Sequence, residues 1–134
     1  MTPRLFQPGF RLDAKDLGVI VLGALLVIFV ARFDGFLALL FGFSVGHFFL
    51  FCNILRMARI FELGWAAVFL ALSGSTLASG QPGETLTILG TLIATALLTA
   101  LQLRHPSYHG IAWKRLNPGL PDWWAKQEST AKKS

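Results

Sequence analysis

Three stretches of this chain carry no charged side chain: Phe36 to Leu55, Leu63 to Gly83 and Thr85 to Leu103. Each is close to the ~20 residues that a helix needs to cross the hydrocarbon of a bilayer. Each is also apolar nearly all round, whereas a helix on a soluble protein keeps one polar face. In lipid the backbone must satisfy its own polar groups, so such stretches fold as helices. Composition agrees: 54% of the 134 residues are hydrophobic and 14% are charged, against roughly 25% charged in an average soluble domain. A soluble fold would lack the polar surface to cover itself. The sequence predicts an all-α integral membrane protein.

A fourth apolar run, Leu17 to Phe33, ends at Arg32, whose long stem can snorkel to the interface. The expected architecture is a compact bundle of four transmembrane helices, about 17–33, 36–55, 63–79 and 85–103. A 1–16 segment precedes it and an irregular aromatic-basic tail, 104–134, follows it. Asp13 or Asp16 is expected to cap the first helix. The first span reads as retained rather than as a cleaved leader, since it follows a polar stretch and no small-residue cleavage site follows it. "FDG" predicts a tight turn with Gly35 at positive φ. "SGQPGE" predicts a loop, and Pro106 a stop to the fourth helix. Between the second and third spans there is no proline, yet Phe36 to Ser79 is too long for one crossing. The chain must reverse between Arg56 and Glu62. Asn53, Arg56 and Arg59 recur every three residues there, which predicts an amphipathic helical turn in the headgroup layer, with Arg59 and Glu62 as an i,i+3 pair.

Charge sets the expected orientation. With four spans, the N-terminal segment (Arg4, Arg11, Lys15), the second turn and the tail share one side and hold 11 of the 12 cations. The positive-inside rule then places both termini in the cytoplasm, in the manner of a bacterial inner-membrane protein. The same placement accounts for the net charge of +5 through lipid headgroups and topology, and nucleic acid is excluded as a partner.

Small residues supply the expected helix contacts, because lipid offers no hydrophobic drive to association. Gly35, Gly42, Gly46 and Asn53 fall on one stripe of the second span. Gly64, Ala67, Ala71, Gly74 and Ala78 recur along the third, and Thr87, Thr91, Thr95 and Thr99 stand at strict i,i+4 on the fourth. Threonine hydroxyls in helices bond back to the carbonyl one turn earlier, so this stripe is expected to pack rather than to conduct.

The sharpest candidate for chemistry is His47, at the midpoint of the second span among Phe48, Phe49 and Phe51. A polar ring at that depth costs several kcal/mol unless it is satisfied, on the order of the cost of burying an unpaired polar group. Ser44 is the expected orienting partner for one ring nitrogen. The other nitrogen admits four readings: an axial ligand to a haem or chlorin, a proton relay, a donor to a quinone carbonyl, or a structural bond across the bundle. No span holds a carboxylate, and no serine–histidine–acid or cysteine–histidine set has workable spacing. Cys52 reads as a small hydrophobe. Asn53, Arg56 and Arg59 are candidates for lipid or partner contact, as are Trp113, Trp123 and Trp124, since tryptophan favours the headgroup layer. Pro106, Pro118 and Pro121 argue against a long helix in the tail. His105 and His109 lack a cysteine or acid to complete a metal set, and the last residues read as a disordered end.

These features point to a non-enzymatic accessory or anchoring subunit of a membrane complex, embedded in the bilayer and joined to partner subunits or to copies of itself. A haem- or chlorin-bearing redox or pigment subunit ligated through His47 is the alternative. A small oligomeric transporter or channel is the third reading.

Overall fold

The computed structural model describes residues 6–133, so Arg4 of the N-terminal cation set lies outside the described residues. Of these residues 75% are helical. In order they form α1 (Ala14–Val30), α2 (Gly35–Phe49, continued as a π-helix over Leu50–Leu55), α3 (Arg59–Ser79), α4 (Glu84–Arg104), α5 (Trp113–Leu116) and α6 (Leu120–Ala131). Three segments, Gly35–Leu55, Arg59–Ser79 and Glu84–Arg104, are long and apolar enough to cross a membrane. Only 22%, 22% and 17% of their most apolar stretches are covered by the rest of the chain. The remainder presents leucine, isoleucine and phenylalanine outward, a surface that fits lipid and not water. The chain has the build of a multi-pass membrane protein. α1 is apolar but has 17 residues, about 25 Å at ~1.5 Å per residue against a hydrocarbon layer of roughly 30 Å.

α1 packs on α2 and α3 on α4, as two hairpins. The first hairpin closes without a glycine at positive φ. Asp34 is the N-cap of α2 and accepts from the Leu37 N–H at 2.8 Å, which leaves Gly35 as an ordinary first residue of the helix. At α1 the Asp16 carboxylate accepts from the Asp13 N–H at 2.8 Å, so both expected capping residues take part. Gly80 ends α3 at φ 74, the left-handed position that favours glycine.

The second reversal differs from the amphipathic turn expected. α2 widens into the π segment, Arg56 turns left-handed at φ 48, and α3 begins at Arg59, one helical turn before the Leu63 start expected. Helix ends leave orphan carbonyls, and here three find partners, one nearby and two from far along the chain. The Phe51 carbonyl accepts from the Met57 N–H at 2.9 Å, the Asn53 carbonyl from Arg11 at 3.1 Å and the Ile54 carbonyl from Ile111 at 2.8 Å. The Gly9 N–H donates to the His109 carbonyl at 2.7 Å. The N-terminal segment, the π segment and the tail are thus sewn into one cap over the ends of α2 and α4. Arg59 and Glu62 form no ion pair among the described residues. Glu62 instead accepts from Cys52 Sγ at 3.6 Å.

The tail is irregular over 105–112 and 117–119 and helical over α5 and α6. Pro121 sits in the first turn of α6, where the missing N–H costs nothing and the fixed φ suits the helix. The helix then runs through Glu128, Ser129 and Thr130, residues expected to be disordered.

The small-residue stripe of α3 also lies elsewhere than expected. Ala67, Ala71, Gly74 and Ala78 face outward, while Trp65, Phe69, Ser73 and Thr76 form the buried face. The core is mainly aromatic and aliphatic: Leu40, Phe51, Leu55, Met57, Trp65 and Phe69.

Candidate functional site

His47 is buried, at 8% exposure, between the two hairpins. A side chain on a helix leans toward the preceding turn, and this carries its Nδ1 to the Phe43 carbonyl at 2.8 Å. Ser44 is not the orienting partner: it lies three residues back, while the ring reaches the carbonyl four residues back. A carbonyl only accepts, so Nδ1 carries the hydrogen. Nε2 lies 3.0 Å from Thr95 Oγ1 on α4. The same hydroxyl accepts from Trp65 Nε1 at 2.9 Å and stands 2.9 Å from the Thr91 carbonyl.

The ring is sandwiched as well as bonded. It stacks on Trp65 at 4.5 Å between centroids with 16° between planes, and Phe43 lies at 4.3 Å. Phe51 meets it edge-on at 5.5 Å, and Trp65 stacks in turn on Phe69 at 5.0 Å. His47 therefore ties α2 to both helices of the second hairpin.

The threonine stripe faces inward and bonds largely to carbonyls, as its spacing predicts. Thr91 donates to the Thr87 carbonyl at 2.7 Å, and the hydroxyls of Thr87 and Thr76 bond across α3 and α4 at 2.7 Å. Toward the cap the pattern breaks. Thr99 Oγ1 and Gln102 Nε2 are buried with no hydrogen-bond partner among the described residues. Gln102 Oε1 meanwhile accepts from the Ala58 N–H at 3.1 Å. Gln102 was not among the residues singled out from the sequence. The signal for it was there: an amide seven residues beyond Thr95 returns to the same helix face.

On the other side of α2, Gly35, Gly42 and Gly46 line an open groove of about 540 Å³ with Ala38, Leu39 and Val27, and His47 forms part of its wall. A Cβ at Gly42 would meet only Val27, at 3.7 Å, and a Cβ at Gly46 would meet nothing. Asn53 continues the stripe but is engaged within the chain. With its amide nitrogen turned toward them, it donates to the Arg11 carbonyl and to Asp16 Oδ2, both at 3.1 Å.

In the cap, Arg56 donates to the Gln7 carbonyl. Partial burial, and then the nearness of Arg11, lower its pKa. Burial likewise lowers the pKa of His109, and Arg56 adds to this, so the ring stays neutral below the usual histidine range. Its Nδ1–H donates to the Ser107 carbonyl at 2.8 Å. Tyr108 and Leu120 are fully buried, and Asn117 donates to the carbonyls of Pro106 and Tyr108 at 2.7 and 3.0 Å. Trp113 and Trp124 both pack on Phe6, with centroids 5.9 and 5.6 Å away. Trp123 lies 6.3 Å from Trp124, and Arg59 is exposed. No family model, curated protein or solved structure matches the chain.

Proposed function

We propose that this chain is a four-span membrane protein with both termini in the cytoplasm, and that it acts as a non-enzymatic accessory subunit whose α1–α2 groove seats a transmembrane helix of a partner subunit. The groove carries this reading. In lipid, helices associate where small residues let backbones approach, and Gly35, Gly42 and Gly46 line the floor of an uncharged concavity. The cation distribution supports the orientation. The cap, with Trp113, Trp123, Trp124, Arg56 and Arg59 at its surface, lies at the cytoplasmic headgroup layer, where it contacts lipid or the same partner.

His47 supports this reading better than ligation of a haem or chlorin. The nitrogen that would ligate is the one beside Thr95, and the ring faces are covered by Trp65 and Phe43. A macrocycle would have to displace them.

Two measurements test the proposal. Reporter fusions after Asp34 and after Gln81 are expected to read as extracytoplasmic, and a cytoplasmic signal at either rejects the topology. Gly46→Ala, whose Cβ meets no atom of this chain within 4 Å, is expected to leave the purified protein as stable as the parent. It is also expected to reduce recovery of partner membrane subunits from native membranes at least tenfold. Undiminished recovery removes the groove from the interface.

A further inference from the structure

The hydroxyl of Thr95 has one hydrogen and two acceptors within reach, His47 Nε2 at 3.0 Å and the Thr91 carbonyl at 2.9 Å. It can serve only one of them at a time. Since Nδ1–H is committed to the Phe43 carbonyl, two complete bonding patterns exist. With neutral imidazole, the Thr95 hydrogen points to Nε2. With imidazolium, Nε2–H donates to Thr95 Oγ1, and the Thr95 hydrogen turns to the Thr91 carbonyl. Trp65 Nε1–H donates to the same oxygen in both. Every polar group is satisfied in either state, and one hydroxyl rotation separates them. An imidazolium would also lie flat on the indole of Trp65, the geometry of a cation–π contact.

A proton needs a route to the ring, and the second observation supplies one. Thr99 Oγ1 and Gln102 Nε2 follow Thr95 on the same face of α4, toward the cap, buried and unpartnered among the described residues. Gln102 is 1% exposed, and its oxygen is fixed on Ala58. Two orphan groups one turn apart offer a buried water two of the ~3 hydrogen bonds such waters typically make. Away from the cap the hydroxyls of Thr91 and Thr87 are already bonded.

We propose that His47 is a proton-binding site inside the membrane domain, that Thr95 is its hydroxyl switch, and that water held by Thr99 and Gln102 admits the proton from the capped end. The step is imidazole plus a proton from bulk water giving imidazolium, with no other bond made or broken. No charged group touches the ring: its neighbours are Phe43, Phe51, Trp65 and Thr95. The charged groups on the packed helices lie at their ends, with Lys15 and Arg59 toward the cap and Glu84 at the opposite end of α4. Also toward the cap are Cys52 on the π segment, Glu62 on α3 bonded to Cys52, Arg104 at the end of α4, and Asp16 on α1 bonded to Asn53.

The test is ring-¹⁵N NMR of the full chain in lipid nanodiscs across pH 4 to 9. His47 is assigned by loss of its signals in His47→Gln, and His105 and His109 serve as references. His47 Nδ1 is expected to stay protonated throughout, while Nε2 changes from bare to protonated as pH falls. Thr99→Val is expected to slow exchange of the Nε2 proton with water at least tenfold, and Thr99→Ser to restore it. His47 ring signals that stay constant across this pH range overturn the proton site. An unchanged exchange rate in Thr99→Val overturns the route.

Discussion

Gly110→Ala is expected to detach the tail from the membrane helices. A Cβ at this position would overlap the Leu55 carbonyl oxygen and lie 2.8 Å from that of Ile54. Both are backbone atoms in the last turn of the π segment and cannot rotate away. The tail would have to move, breaking the Ile111 to Ile54 hydrogen bond and exposing Tyr108 and Leu120, both fully buried. Overpacking against fixed atoms costs about 3 kcal/mol, the upper part of the usual range. Limited proteolysis of the purified protein reads the result as faster cleavage between residues 105 and 125. Gly119→Ala is the control. Its Cβ meets nothing, so its cleavage pattern is expected to match that of the parent, within the ~0.5 kcal/mol typical of neutral surface changes.

Trp65→Ala is expected to produce the largest loss of stability among single changes in the membrane core. Trp65 stacks on His47 and Phe69, meets Phe51 edge-on at 5.4 Å, and donates to Thr95. Removing it opens a cavity where both hairpins meet, and tryptophan-to-alanine changes in cores typically cost about 3–5 kcal/mol. Trp65→Phe retains a stacking ring and loses only the N–H donor, worth about 0.6–1 kcal/mol for an interhelical bond in a membrane protein. Thermal unfolding in mild detergent separates the two. Equal losses from both variants would place the weight on the Thr95 hydrogen bond rather than on the packed rings.

The helices that the chain declares most clearly are those where lipid forbids charge. The uncharged runs locate α2, α3 and α4 to within a few residues, because a lysine or glutamate there has no solvent to face. Burial within those helices is less legible. A helix that is apolar all round gives no sign of which side meets lipid, and on α3 the regular spacing of Ala67, Ala71 and Gly74 pointed to the outer face. Trp65 and Phe69 take the inner face because large rings fill the space between hairpins and their edges reach Thr95 and His47. The midplane histidine was legible as a residue in need of partners. Its partners were not, since Ser44 is nearer in sequence while Phe43 and Thr95 are nearer in space. The π segment left no trace in the pattern, because its extra width answers to carbonyls at Asn53 and Ile54 that bond to Arg11 and Ile111. The tail misled through its prolines. Pro121 begins a helix instead of breaking one.

The cap joins Gly9, made before α1, to His109, made after α4, and ties Ile54 of the π segment to Ile111 of the tail. During synthesis the four apolar helices are therefore translated before the tail residues that clasp their ends. Closing the clasp then costs little chain entropy, since the helices already hold its halves near one another and loop-closure cost grows only slowly with length. A nascent chain halted before Tyr108 would keep its hydrophobic segments but leave the Ile54 carbonyl without its donor and the buried seat of Tyr108 open. The clasp thus closes only once the chain has been made as far as Ile111.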